Sequence, residues 1–121
     1  MLFDTTILVD YLRGVEEAHD LFEATDRKPS VSVVSTLELY AGVRGRREEQ
    51  RTEQLLSQVS LLSVTQDIAK RAGIFVRLYQ GSHGIGAIDA IIAATAEHHG
   101  LKLATLNVKH FPMFPKLRRA Y

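Results

Sequence analysis

Short apolar or β-branched runs alternate along this chain with longer segments whose apolar residues recur at helical spacing, and that alternation constrains the fold more than any other feature. The opening LFD reads as an apolar strand ending on Asp4, and TTILVDYLRG keeps helical spacing up to the glycine stop at Gly14. A second helix is predicted over about Val15 to Thr25, after which Pro29 breaks the chain and VSVV reads as a buried strand. Ser35 and Glu38 stand in S-x-x-E spacing, which predicts a capping box at the start of a helix that stops near Gly42 or Gly45. A charged helix follows over about Arg46 to Ser57, then LLSV as a strand, then an amphipathic helix capped by Thr65 and running through Ile68, Ala72, Phe75 and Tyr79. GSHGIG reads as a loop and AIDAIIAATAEHHG as an alanine-rich, largely buried helix ending at Gly100. LKLAT is the fourth strand, NVKHF opens a turn before Pro112, and FPKLRRAY has room for one more short strand.

Strands separated by helices predict an α/β fold with a parallel sheet of four or five strands covered on both faces, because right-handed crossovers place the helices there. At 121 residues the chain has material for one core, so a single domain over residues 1–121 is expected. There is no cysteine, which excludes a disulfide framework, thiolate metal sites and a cysteine nucleophile. No basic stretch precedes an apolar core at the N-terminus and no apolar run is long enough to span a bilayer, so a cytoplasmic protein with no membrane partner is expected. The net charge of +1 hides an asymmetry: no acid follows Glu97, whereas Lys102, Lys109, Lys116, Arg118 and Arg119 do. A second basic cluster, Arg44, Arg46, Arg47 and Arg51, lies mid-chain. Both clusters suit a polyanion, and both are also what a solvated surface looks like.

Loops that leave the carboxyl ends of parallel strands converge, and function gathers there. Asp4 ends the first strand, Glu38 lies about one helical turn beyond the second, and Thr105 and Asn107 follow the fourth. Asp89 joins them from the first turn of the alanine-rich helix, set among apolar neighbours. Each has a structural reading: Asp4 as a helix cap, Glu38 as half of a capping box, Asp89 as a complement to a helix dipole. Together, however, carboxylates crowded into a partly buried pocket repel, so either their pKa values rise or a cation binds among them. Oxygen-only ligands suit magnesium or manganese rather than zinc. His98 and His99 are adjacent and face different sides of a helix, so they do not form an i, i+4 metal pair, while His110 follows Asn107 closely enough to approach the pocket.

LFDTTILVDYL, VSVVSTLELYAGV and IDAIIAATAEHHGLKLATLNVKHF, in that order and spacing, resemble the PIN domains, and among them the VapC-type toxins of toxin–antitoxin pairs. The resemblance spans the chain and implies a three-layer α/β/α sandwich, a homodimer, dependence on magnesium or manganese, and endonuclease action on RNA. It also implies a small antitoxin partner that blocks the site. Asp4, Glu38 and Asp89 match the three acidic positions of the family pocket. Asn107 falls where many relatives carry a fourth aspartate, and its neutral amide weakens the case for a second tightly held metal.

The mechanism so implied is phosphodiester hydrolysis by a metal-activated water. Asp4 and Asp89 hold the metal, with Glu38 and Asn107 completing its shell or positioning the water. Arg44, Arg46, Lys109 and Thr105 are the candidate contacts to RNA, a structured RNA such as transfer RNA being the substrate that the resemblance favours. Two other readings share some of these features. A receiver-type phosphoacceptor domain has a similar sheet and an acidic magnesium pocket, but it needs an acidic pair after the first strand, where Asp4 stands alone. A PIN-like binding protein with a site degenerate at Asn107 would keep the fold without catalysis.

Overall fold

A computed structural model describes all residues from Met1 to Tyr121. The elements run β1 (Leu2–Phe3), α1 (Thr5–Leu12), α2 (Glu16–Glu23), β2 (Ser30–Ser32), α3 (Val33–Ala41), α4 (Gly45–Leu56), β3 (Ser60–Leu62), α5 (Gln66–His83), α6 (Ala87–His99) and β4 (Leu103–Ala104), followed by a 3₁₀ turn over Val108–His110. All four strands are parallel and lie in the order β3-β2-β1-β4, with Leu2 beside both Ser30 and Leu103.

Adjacent residues of a strand point to opposite faces, and β1 uses both. Leu2 joins a core with Ile68, Phe75, Ile92 and Phe111 under α5 and α6, while Phe3 joins one with Ile7, Leu8, Val31 and Leu55 under α1 and α4. Two cores on one sheet make three layers, as expected. Burying the β1 side chains completely stabilises each face by about 1.5–3 kcal/mol per large residue. The chain reverses its progress across the sheet after β3, leaving a crevice between the carboxyl ends of β1 and β4. No helix is long and apolar enough to cross a membrane.

Four local expectations change. VSVV is not wholly strand: β2 ends at Ser32, whose hydroxyl accepts from Val34 N–H and caps α3, so Val33 and Val34 form the helix's first turn. The Ser35–Glu38 capping box therefore does not exist, since Ser35 lies inside the helix with its side chain fully buried. GSHGIG is only half loop, because α5 continues through Gly81, Ser82 and His83 and stops at Gly84, which takes the left-handed conformation at φ 61°. The sheet has four strands and no fifth. The tail instead returns along the sheet and makes one backbone bond, Ala120 N–H to the Thr105 carbonyl at 2.9 Å.

Candidate active site

Asp4 sits where β1 turns into α1 and is 3% exposed. Its Oδ1 accepts the Thr5 backbone N–H at 2.8 Å, which is the helix cap. Its Oδ2 accepts the hydroxyls of Thr6 at 3.0 Å and Thr105 at 2.7 Å. Each hydroxyl has one proton to give, so its lone pairs remain for other donors: Thr6 accepts the Leu106 N–H at 3.3 Å and Thr105 accepts the Asn107 N–H at 3.0 Å. Two threonines thus lash the segment leaving β4 to the carboxylate leaving β1, across the crevice.

Glu38 reaches the same place from α3 by another hydroxyl. Thr5 Oγ1 donates to Glu38 Oε1 at 2.5 Å, and because that uses its proton, the 2.9 Å contact with Ser35 Oγ has Ser35 as the donor. Ser35, buried in α3, therefore orients Thr5, and Thr5 orients Glu38. Asp89, in the first turn of α6, points its Oδ2 at His110 Nδ1, 3.0 Å away. The 3₁₀ turn that carries His110 is pinned by Phe111, 1% exposed in the core under α5 and α6.

The Asp89 carboxyl titrates above its ordinary range. Burial is the first cause and the negative charge of Asp4 the second, with Glu38 adding to it, while the neighbouring His110 works in the opposite direction. Asp4, Glu38 and Asp89 are therefore close enough to feel one another, and one half-exposed imidazole is the only ion-pair partner among them. No three of the chain's His, Asp and Glu side chains yet converge to grip one ion together. The donor set nevertheless suits a hard divalent cation: the acids supply oxygen atoms only, and their repulsion is what a cation relieves.

A cleft of about 400 Å³ reaches Glu38 of the three acids and is lined also by Thr5, Thr6, Asp10, Arg13 and Asn107 among others. Asn107 is thus an exposed part of its lining. Thr105, expected to touch substrate, is fully buried and spends its hydroxyl on Asp4. Arg44 lines a neighbouring groove, Arg46 lines neither cleft, and Lys109 faces a separate hollow with His83, Phe111 and Phe114. Thr6 and Arg13 escaped the sequence reading. The signal for Thr6 was present in Asp-Thr-Thr after a strand, because a carboxylate there can take a hydroxyl two residues on. Arg13 had no such signal, being a lone arginine at a helix end.

The comparisons agree with this architecture. A family model described as PIN domain matches residues 1–115. Ribonuclease VapC10 of Mycobacterium tuberculosis (strain H37Rv) is 46% identical over 121 residues, covering 98% of this chain and 90% of the relative. Ribonuclease VapC19 of the same organism (strain H37Rv) is 43% identical over 124 residues, covering 99% of this chain and 98% of the relative. Among solved structures, a toxin–antitoxin complex from Klebsiella pneumoniae matches with a TM-score of 0.83 and 35% identity over 99% of this chain and 97% of that one. DNA-bound VapBC from Salmonella typhimurium matches with a TM-score of 0.80 over 98% of this chain and 94% of that one, and at 22% identity it speaks for the fold alone.

Proposed function

The chain belongs to the PIN-domain family, and from that premise we propose that it is an endoribonuclease that hydrolyses RNA phosphodiester bonds as the toxin of a toxin–antitoxin pair. Relatives named as ribonucleases and a similar structure solved as a toxin–antitoxin complex support the activity and a small antitoxin partner. The single observation that carries the catalytic reading is that Asp4, held by Thr6 and Thr105, and Glu38, held by Thr5, are fixed at the crevice near Asp89, whose carboxyl is pushed up by burial and then by their charges.

In this reading Asp4, Asp89 and Glu38 hold a divalent cation, magnesium or manganese. When bound, such a cation would supply Lewis-acid activation of water and neutralisation of charge at the phosphate, and these three carboxylates would be its ligands. The chain's own work is positional. Thr6 and Thr105 fix Asp4, Thr5 fixes Glu38, and Asn107 offers an uncharged amide in the cleft lining to orient water or substrate. A rigid arrangement of this kind needs no reorganisation as charge develops, which is where most of the rate advantage of such sites arises. A homodimer is supported by α3, which exposes Val33, Leu37 and Tyr40 at helical spacing on one face, Leu37 being 61% exposed.

The deciding experiment is cleavage of transfer RNA by purified protein in magnesium and in EDTA. Wild type is expected to cut only in magnesium, and folded Asp89→Asn to cut at least ~100-fold more slowly, as when a principal electrostatic contact is removed. Wild-type rates from Asp89→Asn would end the catalytic reading in favour of a binding protein.

A further inference from the structure

Most of the chain's cations have no carboxylate to answer them. Among the lysines and arginines only Arg71 pairs with a carboxylate, that of Glu97, and the His110 ring lies 3.0 Å from Asp89. Three unanswered guanidiniums share one place. A groove of about 430 Å³ between α1, α3 and α4 is lined by Arg13, Arg44 and Arg51 together with Leu12, Glu38 and Leu39. It shares Val9, Arg13 and Glu38 with the cleft beside Asn107, so the two are continuous past Glu38.

The arginines are held in place without being neutralised. Arg51 donates to the Leu12 carbonyl at the end of α1 at 2.5 Å, which fixes its head group and leaves its charge free. Arg13 is the C-terminal cap residue of the same helix, and Arg44 precedes α4. The other acid in the groove, Glu48, turns its Oε2 to the Arg44 backbone N–H at 2.6 Å and so serves α4 instead of pairing with a guanidinium.

We propose that this groove binds the RNA backbone flanking the scissile bond, with Arg13, Arg44 and Arg51 each facing a phosphate. The inference rests on the ribonuclease reading. A polymer whose reacting phosphate lies among the acids must leave the crevice along the surface, and this groove leads away from Glu38 with a cationic lining. Guanidiniums suit the task because their planar fork matches the phosphate oxygens. Apolar Val9, Leu12 and Leu39 between them provide surface for ribose and base rather than for further charge. Such contacts set affinity and direction, not base choice.

The test measures binding of a short single-stranded RNA by fluorescence anisotropy in EDTA, across a range of salt concentrations, with cleavage of the same RNA followed in magnesium. Arg13→Gln and Arg44→Gln alter exposed side chains, and circular dichroism melts check that both variants remain folded. Each is expected to flatten the slope of log affinity against log salt by about 0.7, the loss of one single-strand phosphate contact. Lys70→Gln and Arg77→Gln on α5, outside both clefts, are expected to leave it unchanged. Unchanged slopes for both arginine variants, in a wild type that binds and cuts RNA, would overturn the groove assignment while sparing the ribonuclease reading. The same result with lost binding to a polyglutamate peptide would mark the groove as a seat for an acidic protein segment and equally overturn it. A wild type that neither binds nor cuts would remove both proposals.

Discussion

Thr105→Val isolates the lashing of Asp4 from every other feature of the site. Valine keeps the shape of threonine but removes the hydroxyl, and the position is fully buried, so water cannot take the hydroxyl's place beside Asp4. Two bonds go: the 2.7 Å donation to Asp4 Oδ2 and the 3.0 Å acceptance from Asn107 N–H. A hydrogen bond to a charged group contributes about 1.5–3 kcal/mol and a neutral one about 0.5–1.5 kcal/mol. Asn107 is exposed, and water recovers part of the second. The expected cost is therefore about 2–4 kcal/mol, roughly 8–16 °C in melting midpoint for a domain of this size. Circular dichroism melts in EDTA read it directly. Thr105→Ser keeps the hydroxyl and loses a methyl group, so it should cost only about 1 kcal/mol. If Thr105→Val melts within a degree or two of wild type, or above Thr105→Ser, the hydroxyl does not hold Asp4 and the account of the crevice is wrong.

Asp89 binds its proton more tightly in the folded chain than in the unfolded one, so metal-free stability should fall as pH rises from about 4 through the raised folded value and then level off. Asp89→Asn should remove that slope and raise metal-free stability at neutral pH, and a loss there would mean that the carboxylate is mainly structural. Saturating magnesium or manganese should raise the wild-type melting midpoint and leave Asp4→Ala unmoved; Asn107→Asp, which adds a charged oxygen to the cleft lining, should enlarge the shift, and equal shifts in all three would remove the metal assignment. Leu37→Glu, placed on the exposed apolar face of α3, should convert a dimer into a monomer by light scattering, and an unchanged mass would mean that this face is not the dimer interface.

The order of elements was legible because periodicity reports burial, and burial is what the layers impose. Boundaries were less so. Val33 and Val34 have β-branched side chains that suit a strand, but β1 offers β2 only a two-residue partner, and Ser32 captures the next N–H for a helix. Ser35 and Glu38 had a capping signature and act together in another way, through Thr5, which is thirty residues away from Ser35. Spacing within one element cannot reveal a partner in another. The same limit applies to the cations: a run such as Arg44 to Arg51 is visible along the chain, whereas the groove draws Arg13 from a different helix and leaves Arg46 outside.

For the acids, the structural and functional readings are not competitors, and Asp4 shows why. A carboxylate has two oxygens. Oδ1 satisfies an orphan N–H at the start of α1, which fixes the side chain's direction, and Oδ2 is held by two hydroxyls that come from both sides of the crevice. A group so restrained stays beside Asp89 despite the cost of placing two negative charges near each other, because the local bonds of the cap stabilise what the pocket destabilises. Strand ends in parallel sheets supply both conditions at once, a helix start that needs a cap and a neighbouring loop within reach. Cap residues at such positions are therefore where a chain can crowd acids with the least loss of stability, and a cation that neutralises them returns that loss as binding energy.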